Sequence, residues 1–239
     1  MQSFFKRHEK KYLISKEQYA TFQKILSQHM EPDKYGEYLV QNIYFDNEAW
    51  DVIRSSTEKP LFKEKMRLRC YNIPDQKSKV FVELKKKFKG IVYKRRVAVP
   101  FDEMLSGSVG DVIAAENSQI SRELNFYMER NAVKEKIYIA YRRNAFVEKE
   151  QRYFRITFDN DIRFRLERLD FFNPKDGIVL LPKNKILMEV KALGVMPLWL
   201  VKLLNENNVF PTAFSKYGKC YTDYIMCKTE KQKEELLSA

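Results

Sequence analysis

The stretch Lys63-Glu64-Lys65-Met66-Arg67-Leu68-Arg69-Cys70-Tyr71 carries a cation at alternate positions. Because successive residues of a β-strand face opposite sides, its basic side chains point one way while Met66, Leu68 and Cys70 point the other. The pattern recurs in two later segments, as Glu83-Lys85-Lys87 and as Lys94-Arg96. These cation rows are either the solvated outer face of a sheet or the inner face of a closed one. In the second case they would form a positively charged tunnel for a polyanion.

An inward orientation of the cation rows has a physical cost. Arg67 and Arg69 lie two positions apart, roughly 7 Å at strand spacing, and repel each other by about 2 kcal/mol at an effective dielectric constant near 20. For a single strand this cost favours a solvated face. Repetition over three strands favours the inward orientation, because opposite charges are expected to alternate across a solvated sheet. A bound anion would make such an interior tolerable.

Composition narrows the class of partner. The 239 residues include 44 Lys plus Arg and 32 Asp plus Glu, which gives a net charge of +12. This balance favours a phosphate-rich partner: nucleic acid, a membrane surface, nucleotides or condensed phosphate. Cys70, Cys220 and Cys227 show no zinc-binding pattern, which favours reduced thiols in the cytoplasm. The N-terminal residues lack the apolar core of a signal peptide, so we expect a cytoplasmic protein that could lie at the inner face of a membrane through a partner.

The chain reads as one continuous domain, residues 1–239, because its seven glycines form no flexible linker. Alternation predicts strands at residues 3–14, 39–46, 63–71, 79–87, 91–100, 137–148, 153–164 and 185–192. Helical spacing predicts a helix after Ser15 and further helices at residues 47–56, 118–131, 197–205 and 217–237, with surface connections at 72–79 and 105–111. We therefore predict an α+β fold in which about eight antiparallel strands close into a barrel, with helices packed outside.

Ordered motifs along the chain carry a resemblance to a known family. They are Arg7-His8-Glu9-Lys10-Lys11-Tyr12, Asn42-Ile43-Tyr44-Phe45-Asp46, Arg67-Leu68-Arg69, Glu83-Leu84-Lys85, Lys94-Arg95-Arg96, Tyr141-Arg142-Arg143, Glu189-Val190-Lys191 and Ser215-Lys216-Tyr217. This series resembles the polyphosphate polymerase (VTC) domain of the vacuolar transporter chaperone family. That family belongs to the triphosphate tunnel metalloenzymes, a CYTH-like superfamily. The resemblance spans residues 4–224.

The resemblance implies an enzyme that transfers the terminal phosphoryl group of ATP to a growing polyphosphate chain. The positions that match the family's phosphate-binding and catalytic residues are Lys11, Arg67, Arg69, Lys85, Lys94, Arg143 and Arg155. Further contacts to substrate are expected from Tyr141, Arg96, Ser215 and Lys216. Glu189 resembles the family's metal-binding carboxylate, for Mn²⁺ or Mg²⁺. Glu9 is a second candidate ligand, because a hard divalent ion prefers carboxylate and phosphate oxygens.

Departures from the superfamily leave alternatives open. Its hydrolases and cyclases commonly carry Glu-x-Glu-x-Lys, whereas this chain has Arg7-x-Glu9-x-Lys11, which favours the polymerase branch. Ala213 stands where some relatives carry another lysine, so one alternative to the polymerase is a non-catalytic polyphosphate-binding module. The other alternative is a tripolyphosphate or nucleoside triphosphate hydrolase. Nucleic acid is not expected as a partner, because Phe and Tyr fall mainly at core-like positions instead of forming exposed stacking surfaces.

Several charged residues have a structural interpretation beside the functional one. Glu83 and Lys85 could neutralise each other across the barrel. Glu9 could be the ion-pair partner of an inward arginine instead of a metal ligand. Asp159 and Asp161 could be metal ligands, but the favoured interpretation is that they are charge partners of Arg163 or Arg165 at the end of a loop. The sequence alone does not choose the oligomeric state or identify a membrane-protein partner.

Overall fold

The computed structural model describes residues 7–58, 60–89, 91–149 and 154–227. The strands in these ranges are β1 (Arg7–Ser15), β2 (Met30–Asp46), β3 (Phe62–Tyr71), β4 (Lys79–Phe88), β5 (Ile91–Pro100), β6 (Lys134–Glu148), β7 (Arg155–Arg165), β8 (Ile178–Val179) and β9 (Lys185–Leu193). The helices are α1 (Lys16–His29), α2 (Asp51–Thr57), α3 (Phe101–Ser106), α4 (Val109–Ala115), α5 (Gln119–Asn131), α6 (Leu198–Glu206) and α7 (Lys216–Cys220), which a π-helical segment, Tyr221–Met226, continues.

These elements confirm most of the predicted segments, with two corrections. Strand β2 begins at Met30 instead of at residue 39. Helices α3 and α4 occupy much of the region around residues 105–111, which was predicted to be a surface connection. Each of these helices has six or seven residues, too few for a clear helical period in the sequence. The predicted strand residues 3–6 and 153 and the helical residues 228–237 lie outside the described ranges.

The strands form one large sheet with the order β1-β9-β7-β6-β2-β3-β4-β5, and β8 pairs with β7. The pairs β1–β9, β7–β9, β2–β3, β3–β4 and β4–β5 are antiparallel. The α+β class with a large antiparallel sheet is therefore confirmed. Among the described residues, no hydrogen-bonded pair joins β1 to β5, so closure of the sheet into a barrel is not confirmed. None of the described helices combines the length and the apolar character that a membrane crossing requires.

The chain divides into two compact units. Unit 1 comprises Met1–Leu39, Tyr141–Ile162 and Leu181–Phe214. Unit 2 comprises Val40–Ala140, Arg163–Leu180 and Ser215–Ala239. One continuous domain over residues 1–239 stays a prediction.

The core of unit 1 occupies one face of β1, β7 and β9. Alternate residues on these strands are buried, among them Ile14, Phe158 and Met188. They pack with apolar residues of α1 and α6, such as Phe22 and Leu200. Because side chains alternate along a strand, the opposite face of the same strands is left for the polar residues at the intervening positions.

The core of unit 2 likewise occupies one face of β3, β4 and β5. The fully buried residues of this face include Met66, Cys70, Val82 and Leu84. Helix α5 lies on the same side of the sheet, because its Glu123 forms ion pairs with Lys86 and Arg95. These two residues occupy the intervening strand positions, so their side chains point to the face opposite to the cation rows. The cation rows therefore occupy the face of these strands opposite to α5. Cys70, Cys220 and Cys227 are free thiols, as predicted.

Candidate active site

In unit 2, the strand registers align lysines from three strands. Lys65 lies opposite Lys85, and Lys85 lies opposite Lys94. Like charges directly opposite each other destabilise a sheet. This lysine row is therefore a place where a bound anion would stabilise the protein.

The adjacent row places a buried carboxylate between arginines. Glu83 lies opposite Arg67 on β3 and Arg96 on β5, and it is 2% exposed. Its carboxylate oxygens lie 2.8 Å from Arg67 Nη2, 2.5 Å from Lys94 Nζ and 3.5 Å from Arg96 Nε. Arg69 Nε lies 3.9 Å away. Burial raises the pKa of Glu83, but the charges of Arg67, Arg69 and Lys94 outweigh it and lower that pKa to about 2.

One carboxylate among four cations leaves this region with a net positive charge. The cations are not a freely solvated face, since Arg69 is buried and the side chain of Arg67 is only 20% exposed. Fixed, partly desolvated cations interact with an anion more strongly than cations in water do. The region is therefore suited to hold a phosphate group.

Two residues of β2 orient the arginines. Asn42 Oδ1 accepts a hydrogen bond of 2.9 Å from Arg69 Nε, and the Tyr44 hydroxyl accepts one of 3.0 Å from Arg67 Nη1. Burial raises the pKa of Tyr44, but the positive charges of Arg67 and Arg69 outweigh it, so that this pKa lies below its ordinary value. The Asn-x-Tyr motif thus positions two predicted phosphate ligands, a role that sequence reasoning did not assign.

The same β2 motif ends in Asp46, which anchors the neighbouring helices. Asp46 is fully buried and accepts hydrogen bonds from the backbone N–H groups of Asn47, Val52 and Ile53 at 2.9–3.0 Å. It also accepts a 2.6 Å hydrogen bond from the hydroxyl of Tyr217. Burial and the charge of Asp46 raise the pKa of Tyr217. These bonds fix α2 and α7 against the end of β2.

The predicted substrate ligands Ser215 and Lys216 begin α7. The Ser215 hydroxyl accepts a 3.1 Å hydrogen bond from Gly218 N and caps the helix. Ser215 therefore has a structural role in addition to any contact with substrate. Lys216 is buried, and its charge helps to lower the pKa of Tyr44, which places it in the same cationic region.

In unit 1, the β1–β9 register sets Lys11 opposite Glu189. The Glu189 carboxylate is 9% exposed and lies 3.5 Å from Lys11 Nζ, 3.7 Å from Arg143 Nη2 and 3.9 Å from Lys191 Nζ. Lys11 also lies 3.8 Å from Glu9 and donates a 2.8 Å hydrogen bond to the carbonyl of Phe214. A second group of mixed charge thus surrounds Glu189.

Two arginines of unit 1 are engaged by aspartates. Arg143 donates two parallel hydrogen bonds to Asp159, at 2.6 and 2.7 Å, and its guanidinium lies 5.1 Å from the ring of Tyr141. Burial lowers the pKa of Arg143, but Asp159, Tyr141 and Glu189 together outweigh it and raise that pKa, so the guanidinium stays charged. Arg155 Nη2 donates a 2.8 Å hydrogen bond to Asp33. Both arginines are therefore held by carboxylates of unit 1.

The residues around Glu189 fit a hard divalent ion held partly by substrate. Glu9 and Glu189 are diagonal neighbours on one face of the β1–β9 pair, with their Cα atoms roughly 7–8 Å apart. Thr157 lies opposite Glu189 on β7, and its buried hydroxyl has no hydrogen-bond partner within the described chain. In the same residues, no three His, Cys, Asp or Glu side chains form a metal-binding group. One or two carboxylates with phosphate oxygens and water are a usual environment of Mg²⁺.

The structure thus brings the predicted site residues together in two groups. Unit 1 contains Lys11, Arg143, Arg155, Tyr141, Glu9 and Glu189. Unit 2 contains Arg67, Arg69, Lys85, Lys94, Arg96, Ser215 and Lys216. The residues that sequence reasoning missed are Asn42, Tyr44 and Thr157. Thr157 lies on the same face of β7 as Arg155, and this alternation is the signal that could have identified it. Asn42 and Tyr44 lie opposite Arg69 and Arg67 on the neighbouring strand, so only the strand register identifies them.

Several solved structures are similar to this chain. PH1819 protein from Pyrococcus horikoshii OT3 has 16% identity and a TM-score of 0.46, over 90% of this chain and 99% of that one. The putative adenylyl cyclase HpAC1 from Hippeastrum, described as having a dominant triphosphatase activity, has 17% identity and a TM-score of 0.49, over 87% and 92%. A putative adenylate cyclase from Vibrio parahaemolyticus has 9% identity and a TM-score of 0.47, over 89% and 96%.

Sequence comparison gives the family. Curated proteins include no match to the chain. Residues 6–224, which are most of its length, match the VTC domain family. The chain therefore belongs to the VTC domain family.

Proposed function

We propose that this protein is a metal-dependent polyphosphate polymerase, which transfers the terminal phosphoryl group of ATP to a growing polyphosphate chain. The observation that carries the proposal is the set of cation rows on β3, β4 and β5. Four cations of these rows, Arg67, Arg69, Lys94 and Arg96, lie within 4 Å of one buried carboxylate, Glu83, and the lysine row adjoins them. Membership of the VTC domain family supports a reaction of polyphosphate or triphosphate.

Phosphoryl transfer requires positioning and neutralisation of charge more than covalent help from the protein. Arg67 and Arg69 carry planar guanidinium groups that bind phosphate oxygens in pairs, while Lys85 and Lys94 act as point charges. Glu83 contacts Arg67, Arg69 and Lys94 before substrate arrives, and Tyr44 and Asn42 also hold the two arginines. Such preorganised charge stabilises the transition state without reorganisation during the reaction.

Glu189, with Glu9, would hold the divalent ion. When bound, Mn²⁺ or Mg²⁺ would neutralise phosphate charge and help to orient the transferred group. Lys11 and Arg143 adjoin Glu189 and would bind phosphate oxygens beside the ion. The attacking group is a terminal phosphate oxygen that is already ionised at neutral pH, so the polymerase needs no general base.

We infer that the sheet closes into a barrel whose interior is a basic tunnel, formed by one domain over residues 1–239. The nucleotide is ATP and the second substrate is polyphosphate. The protein acts in the cytoplasm, at the inner face of a membrane through a membrane-protein partner.

The test is gel analysis of the products after purified protein is incubated with ATP and Mn²⁺. The proposal predicts long polyphosphate. Free phosphate without polymer would instead identify a triphosphate hydrolase, and unchanged ATP would identify a binding module. Either result contradicts the polymerase proposal.

Two neighbouring cations on β5 provide a matched pair of variants. Lys94 belongs to the cation rows, whereas the adjacent Arg95 points to the other face and pairs with Glu123. Their side chains are 43% and 50% exposed, so neither substitution opens a cavity in the core. Lys94→Ala is expected to lower kcat/KM at least about tenfold, and Arg95→Ala to leave it within about twofold. Equal effects would contradict the assignment of this face.

A further inference from the structure

The end of the β3–β4–β5 meander exposes large apolar side chains. We define the hairpin tip as Phe62, Phe88, Ile91, Val92 and Tyr93, each of which is 45–50% exposed. Phe62 lies opposite Phe88, and Phe88 lies opposite Ile91. Contiguous exposed apolar side chains are unusual on a soluble surface and mark sites of interaction.

The hairpin tip is an ordered part of the sheet. Its β4 end is tied to the start of β3, because Lys89 N donates a 3.0 Å hydrogen bond to the carbonyl of Leu61. Ile91 and Tyr93 point to one face of β5, and Val92 points to the other. Apolar side chains are therefore exposed on both faces of the hairpin.

Cations accompany the apolar residues. Lys87 and Lys89 are exposed at the tip, and Lys89 Nζ lies 5.5 Å from the centre of the Phe88 ring. Between residues 87 and 93 these two lysines are accompanied by no Asp or Glu. A surface that combines apolar side chains with positive charge is complementary to a surface that presents negative charge above an apolar layer.

We propose that the hairpin tip inserts into the interfacial region of an anionic lipid bilayer. Apolar residues beside lysines are the combination that binds such interfaces, and Tyr93 has the amphipathic character of residues at this depth. A flat protein partner would cover one face of the hairpin, whereas a bilayer surrounds both. The tip stretch 87–93 contains no acidic residue that would repel an anionic headgroup.

Co-sedimentation with vesicles tests the proposal. The wild-type chain is expected to bind vesicles of phosphatidylcholine with about 30% phosphatidylserine and to bind pure phosphatidylcholine much more weakly. Phe88→Ser combined with Ile91→Ser should lower the partition coefficient at least about tenfold. Phe210→Ser is the control for apolar exposure, because Phe210 is 70% exposed in unit 1, and it should leave binding unchanged.

A second matched pair of double variants tests how much the lysines contribute to membrane binding. Lys87→Gln with Lys89→Gln should lower the partition coefficient roughly twentyfold, since each lysine near an anionic surface contributes about a factor of five. Lys24→Gln with Lys202→Gln removes the same charge from exposed positions on α1 and α6 and should have a much smaller effect. Equal effects would show that net charge alone drives binding and would overturn the proposal.

Insertion is measured separately from adhesion. Phe88→Trp should give tryptophan emission that spin-labelled lipids quench more strongly than the emission of the wild-type Trp50 and Trp199. Unchanged binding of the Phe88→Ser, Ile91→Ser variant would contradict insertion, as would a Phe88→Trp variant whose added emission the spin-labelled lipids do not quench. Self-association without vesicles that the same double substitution abolishes would assign the tip to a second copy and would also overturn the proposal.

Discussion

Replacement of Glu83 by glutamine tests whether this carboxylate holds the phosphate-binding cations in place. The substitution keeps the shape of the side chain and removes its charge. The pKa of Glu83 is lowered from 4.5 to about 2 by its cationic neighbours, although burial acts in the opposite direction. At about 1.4 kcal/mol per pH unit, this difference corresponds to roughly 3 kcal/mol of stability at neutral pH.

The dependence on pH has a defined sign. Because the pKa is lower in the folded protein, the contribution of Glu83 is fully present above pH 4.5, the ordinary value, and is lost as the pH falls to about 2. The difference in unfolding free energy between wild type and Glu83→Gln should therefore be constant above pH 4.5. It should shrink as the pH falls towards 2, where about half of the folded wild-type molecules carry a neutral carboxyl, and approach zero below that pH.

Urea unfolding over this pH range, followed by circular dichroism, measures that difference. At neutral pH the thermal midpoint of Glu83→Gln should also fall by about 6–12 °C. Glu48→Gln is the matched control, since hydrogen bonds from Lys134 and Lys136 lower the pKa of Glu48 to about 2 as well. Glu48 is exposed, and its removal should change stability little. Equal losses in the two variants, or a pH-independent difference for Glu83, would refute the reasoning.

Three further substitutions have defined outcomes. Glu189→Gln should abolish turnover that depends on Mn²⁺ while nucleotide binding persists, because one carboxylate is lost from the metal ligands. Full activity of this variant in a Mn²⁺ titration would show that the ion binds elsewhere. Tyr44→Phe should weaken tripolyphosphate binding about tenfold in calorimetry, since Arg67 loses a hydrogen bond of about 1.5 kcal/mol; unchanged affinity would show that Glu83 alone positions Arg67. Asp46→Asn should cost about 3 kcal/mol in urea unfolding, and a loss below about 1 kcal/mol would contradict the anchoring role of Asp46.

The strands of the meander could be predicted closely from sequence. The predicted ranges 63–71, 79–87 and 91–100 differ from β3, β4 and β5 by at most one residue at any end. Alternation is strong there because one face packs on apolar residues and the other carries cations. The first part of β2 was missed for the opposite reason. Residues 31–38 are largely exposed and polar, so burial does not impose a period on them.

Partners within the candidate site required the structure. The sequence interpretation paired Glu83 with Lys85, two positions away on the same strand. The cross-strand register instead brings Arg67, Arg69, Lys94 and Arg96 within 4 Å of the Glu83 carboxylate. Such contacts depend on which residues lie opposite each other, and no local pattern encodes this. The bidentate Arg143–Asp159 pair has the same origin, since its members belong to β6 and β7.

The most direct test of the central claim, that the cation rows bind a triphosphate, is the thermal midpoint of the wild-type protein with and without tripolyphosphate. Relief of repulsion among the aligned lysines and arginines makes the bound state more stable. At a concentration one hundred times the dissociation constant, the gain of about 2.7 kcal/mol should raise the midpoint by roughly 5–10 °C. Sulfate at the same ionic strength should give a much smaller rise. An unchanged midpoint with tripolyphosphate would contradict the claim.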